Sequence, residues 1–136
     1  MIYLLDSTIC IALINGTSTN ARARFSQAVQ SKTLLATSTI VVHPLWHRAA
    51  KNEQATRYAR ALAAFLSSDV TVLEFDHQDA QAAGEIRAEL ERQGQRIGEY
   101  DTLIAGQAFA RNLILVTANT REFARVKGLV VEDWTV

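Results

Sequence analysis

The chain has 136 residues, 49% of them apolar and 21% charged, with 14 Lys and Arg balancing 14 Asp and Glu. That balance suits one globular domain over residues 1–136, large enough to bury a core unaided; it excludes an internal disulfide, since Cys10 is alone, and a global basic field for nucleic acid. No apolar run approaches the roughly 20 residues of a membrane span, and the N-terminus lacks a basic signal-peptide leader, so a cytoplasmic chain with no membrane contact is expected.

The opening residues, MIYLLDSTICIALI, predict a strand over 2–5 that runs straight into Asp6. ARARFSQAVQ (21–30) is amphipathic and predicts a helix, followed by a strand at TLLAT (33–37). TSTIVVHPLWHRAA (37–50) suggests a helix from about Thr39, in which Pro44 falls past the first turn. NEQATRYARALAAFLSS (52–68) is a further helical pattern, and VTVLEF (70–75) a strand. The helix over 76–94 has Asp76 as its N-cap, Asp79 three residues on, and Gly94 as its stop. The next, 99–112, carries two acids in its first turn and ends at Asn112; strands LILVT (113–117) and LVV (129–131) complete the set. Apolar strands alternating with helices imply a three-layer α/β/α sandwich around a mostly parallel sheet.

In such sheets ligands bind beyond the carboxyl ends of the strands. Asp6 follows the first strand there, Asn119 and Glu122 follow the fourth, and Asp101 opens its own helix. Asp6 has a second role open to it as the cap of a helix starting at Ser7, and Asp101 as a complement to its helix dipole. Together, two acids and an amide at one edge suit a hard cation.

The segments YLLDSTICIALI, EIRAELERQGQRIGEYDTLIAG and LILVTANTREFARVKGLVVEDW resemble the VapC-type toxins of bacterial toxin–antitoxin pairs, which carry a PIN domain. The resemblance spans nearly the whole chain and is most specific from Gly84 to Trp134. It implies the α/β/α fold and a Mg²⁺- or Mn²⁺-dependent ribonuclease that cuts specific RNA. It also implies a homodimer and silencing by a VapB-type antitoxin. Carried over by position, the resemblance implies that Asp6 (first position) and Asp101 (third, in IGEYD) are metal ligands and that Asn119, at the fourth, assists as a catalytic residue. The chain departs from the family at three site positions: Pro44 stands where the family has Glu, Arg48 where it has Gly, and Thr8 where Asn is usual. A second reading follows, in which the fold persists with a disabled site and still binds its antitoxin.

Rival readings attach to particular residues. His43 and His47 lie four apart, as zinc-binding pairs do, but the protease signature needs Glu where Pro44 stands. A phosphotransfer role for Asp6 rests on little beyond "DST". Trp46 and Trp134 suggest core or dimer packing, and Glu99 and Glu122 are each placed either near the cleft or at the surface. Arg22 with Arg24, and Arg121, Arg125 and Lys127, are local basic groups that suit solvated helix faces or an RNA contact.

Overall fold

The computed structural model describes residues 2–136. Five strands, β1 (Ile2–Leu5), β2 (Leu34–Ser38), β3 (Val70–Leu73), β4 (Ile114–Val116) and β5 (Val131–Glu132), form one sheet in the order β3-β2-β1-β4-β5, with every pairing parallel. The connections are α1 (Ser7–Asn15) and α2 (Thr19–Gln30), then α3 (Thr39–Lys51) and α4 (Ala55–Leu66), then α5 (His77–Arg92) and α6 (Glu99–Ala110), and finally the single turn α7 (Thr120–Phe123). From β1 the chain moves outward through β2 to β3, then crosses back to β4 on the other side. Right-handed crossovers put the helices of those two excursions on opposite faces. The three-layer expectation holds, and the order reverses between β1 and β4.

Central strands buried on both faces need apolar residues throughout: Leu4, Leu5, Leu35, Leu115 and Val116 are all at most 2% exposed. The strand limits differ from the sequence reading for local reasons. β3 stops at Leu73 rather than Phe75 because its partner Ser38 turns away as the cap of α3. The Glu74 carbonyl instead accepts from Gln107 and Arg111. At 52–54 the Asn52 side chain accepts from the Gln54 N–H, forming a turn that delays α4 to Ala55.

The helix ends follow the predicted chemistry. Asp76 and Asp79 form a reciprocal capping box at the start of α5. Gly94 and Asn112 both adopt positive φ just beyond their helices. α3 does begin at Thr39, capped by Ser38, and passes through Pro44, its sixth residue. Proline has no N–H to give the Ile40 carbonyl.

Helices α5 and α6 approach closely where Gly106 faces Ala83. A Cβ built on Gly106 would lie 2.5 Å from the Ala83 Cβ and 2.6 Å from its Cα and N. Trp134 is core, 1% exposed and edge-on to Tyr3 at 5.0 Å, whereas Trp46 is 40% exposed on α3 and does not join it.

Candidate metal centre

Asp6 leaves β1 at the reversal point of the sheet. Its own N–H donates to the Val116 carbonyl at the end of β4, so the two central strands are tied where they finish. The side chain is 3% exposed. Oδ1 accepts from the Thr8 N–H at 2.9 Å, the Thr8 hydroxyl at 2.6 Å and the Ile9 N–H at 3.2 Å; Oδ2 accepts from the Thr117 hydroxyl. Asp6 therefore caps α1, as one of its two readings anticipated, while remaining at the cleft. Burial raises its pKa, and the Thr117 and Thr8 hydroxyls with the two N–H groups oppose that rise.

Thr8, the residue standing where the family has Asn, links three elements. Its hydroxyl donates to Asp6 and accepts from the Ala118 N–H at 2.9 Å, joining the start of α1 to the loop after β4. Thr117 plays the matching part across the cleft: its oxygen accepts from the Asn119 N–H at 2.9 Å while its proton goes to Asp6.

Asp101, in the first turn of α6, reaches the same place. Burial, a hydrogen-bonding contact with Glu122, and the charges of Glu122 and Asp6 raise its pKa to about 7. Glu122 is held below the usual carboxylate range by its bond from Asp101, by the Asn119 amide and by Arg125. The Asn119 Nδ2 donates to Glu122 at 3.1 Å. The two carboxyls therefore titrate as one interacting pair, with the more enclosed Asp101 pushed up and Glu122 held down.

The structure thus brings Asp6, Asp101 and Asn119 to one edge and adds Glu122. Sequence left Glu122 between cleft and surface; α7 decides it by turning Glu122 back over Asn119. Glu99 is exposed. Among the described residues, no three His, Cys, Asp or Glu side chains stand as a ready ligand set. That holds for the His43–His47 pair as well, where His43 Nδ1 is engaged by the Tyr100 hydroxyl at 2.7 Å. Pro44 contributes no carboxylate at the position where the family has Glu. Asp101 lies close enough to Glu122 and Asp6 for both charges to raise it, and carboxylate oxygens gathered in this way are the donors a hard divalent ion would take.

The basic groups are partly engaged. Arg24 bonds Glu132 at 2.9 Å and lies over the Trp134 ring at 5.4 Å, and Arg125 donates to the Arg96 carbonyl. No helix is long and apolar enough to cross a membrane.

The chain is similar to known proteins along nearly its whole length. Residues 3–129 match the PIN domain family. The chain is 41% identical over 133 residues to the tRNA(fMet)-specific endonuclease VapC of Shigella flexneri, covering 98% of each protein. It is 38% identical over 132 residues to Ribonuclease VapC2 of Haemophilus influenzae, covering 97% of each. Among solved structures, a chain in the crystal structure of VapBC2 from Rickettsia felis bound to a DNA fragment from their promoter has a TM-score of 0.92 and 34% identity, over 98% of this chain and 99% of that one. A chain of the DNA-bound VapBC from Salmonella typhimurium gives 0.90 and 36%, covering 98% of both. The chain belongs to the PIN-domain family and, within it, to the VapC endoribonucleases of VapBC toxin–antitoxin systems.

Proposed function

We propose that this chain is a divalent-metal-dependent endoribonuclease toxin in which Asp6 and Asp101 hold Mg²⁺ or Mn²⁺, with Glu122 beside them. The observation that carries this reading is the convergence of Asp6 with the Asp101–Glu122 pair at the reversal point of a parallel sheet. A bound ion there would polarise a phosphodiester and lower the pKa of an attacking water. The protein supplies the positioning. Thr8 and Thr117 fix the Asp6 carboxyl, and Asn119 steers Glu122.

The RNA substrate to try first is tRNA(fMet), because relatives 41% and 37% identical over nearly the whole chain are named as its endonucleases. A VapB-type antitoxin as the silencing partner and a homodimer as the working form belong to the same reading; similarity to chains of VapBC complexes supports the former.

A second reading, the disarmed toxin that still binds its antitoxin, is favoured by one observation. Pro44 leaves α3 without an acid, so the site lacks a carboxylate to orient a second ion or the water. Incubating end-labelled tRNA(fMet) with the chain in Mg²⁺, in Mn²⁺ and in EDTA separates the readings. Cutting that needs metal and vanishes in Asp101→Asn supports the active toxin. Cutting only by Pro44→Glu supports the disarmed one. Cutting in EDTA removes both.

A further inference from the structure

We propose that one face of α3, with Tyr100 of α6 at its head, holds single-stranded RNA beside the acidic site. The inference rests on the ribonuclease reading above and names the residues that grip the strand. His43, His47 and Lys51 recur every four residues, with Pro44 and Arg48 one position on, so all five share a helix face about 12 Å long. His43, His47, Arg48 and Lys51 are exposed. No Asp or Glu occurs anywhere in α3. In a chain with a formal net charge of zero, this face carries the cations Arg48 and Lys51 with no acid among them.

Two features suit it to a nucleic acid strand. First, Arg48 and Lys51 line a cleft of about 430 Å³ between α1 and α3, together with Pro44, His47 and Ser7. Ser7, part of that lining, directly follows Asp6 in the chain. Among the described residues neither cation has a carboxylate within ion-pairing distance; the paired arginines are Arg24, Arg87, Arg92, Arg96 and Arg111. Free cations along a groove are what phosphates require.

Second, the His43 and Tyr100 rings are stacked, centroids 5.8 Å apart and planes 26° apart, and locked by the 2.7 Å bond between the Tyr100 hydroxyl and His43 Nδ1. Tyr100 is 45% exposed and precedes Asp101 in the chain. A ring pair already ordered by its own hydrogen bond offers a base a stacking platform with little further loss of freedom. An acidic peptide would also meet Arg48 and Lys51, but it has no use for a stacked aromatic pair. The combination favours RNA.

Binding of a fluorescein-labelled 12-nucleotide single-stranded RNA, followed by anisotropy in EDTA so that nothing is cut, tests this on the full chain. Arg48→Glu with Lys51→Glu should weaken binding at least tenfold. In the neutral pair Arg48→Gln with Lys51→Gln, the slope of log affinity against log salt should fall by about 1.4. Tyr100→Ala should weaken binding about tenfold, whereas Tyr100→Phe, which keeps the ring, should lose less. Arg92→Glu on α5 is the control and should bind as the parent does. Circular dichroism melts confirm that each variant is folded. If the parent binds and the α3 and Tyr100 variants match it within twofold, the strip is wrong and the ribonuclease reading survives. If the parent itself binds no RNA, both fall.

Discussion

Asp6 serves two ends with one carboxyl. Its Oδ1 closes the first turn of α1 through two N–H groups and a hydroxyl, and its Oδ2 is steadied by Thr117. A buried acid held this firmly is oriented before any ligand arrives. A different buried acid, Asp79, is structural. Burial alone would raise it, but the Arg111 guanidinium and the Asp76 N–H outweigh that and hold it below the usual carboxylate range. A depressed folded-state pKa gives stability that is present above the unfolded value and lost as pH falls through the folded one. Asp79→Asn should therefore lower stability by about 2 kcal/mol at pH 7, and the gap from the parent should close below about pH 4; urea melts across that range measure it. Cys10 shows the opposite effect. Burial pushes its thiol up to about 12, with the Asp6 charge adding to the rise. A thiol reagent at pH 8 should leave it unmodified until the chain unfolds.

Helix α3 keeps its shape against the preference of one residue. Pro44 forfeits the bond to the Ile40 carbonyl, a loss of up to about 3 kcal/mol relative to Ala in a regular helix. Pro44→Ala should accordingly raise the unfolding midpoint in denaturant, by an amount equivalent to about 1–3 kcal/mol. The α5–α6 pair makes the reverse demand. Gly106 sits against Ala83 backbone, so Gly106→Ala should destabilise by about 1–3 kcal/mol through overpacking. Gly84, with open space where a Cβ would go, should gain up to about 1 kcal/mol as Ala from helix propensity. Thermal melts of the two variants should move in opposite directions. The helix caps at Asp76, Gly94 and Asn112 were legible because capping chemistry is local. The strand ends were less so, because β3 ends where its neighbour β2 turns away and not where its own apolar run stops. Nothing in VTVLEF carries that information.

At the scale of the whole molecule, the sheet order makes the site. Placing β1 beside β4 ties Asp6 to Val116 and brings Thr117 and Asn119 alongside it, although Thr117 is 111 residues away in sequence. The crossing from β3 carries α6, and with it Asp101, to the same edge. Asp6, Asp101 and Asn119 were readable from motif and position because each lies just past a strand or opens a helix. The partners that fix them were not. Thr8, Thr117 and Glu122 are ordinary residues until topology sets them against an acid, and the bond from Asn119 to Glu122 depends on a four-residue helix no periodicity announces. Of the two readings of Trp46, core packing is removed by its 40% exposure. Metal binding tests the proposed cation site without involving RNA. We would titrate the chain with Mn²⁺ at pH 7.5 and follow free Mn²⁺ by electron paramagnetic resonance, beside Asp6→Asn and Asp101→Asn. Saturable binding that weakens at least tenfold in each variant is the expected result; parent and variants binding equally, or a parent that binds none, would contradict a cation site built on these acids.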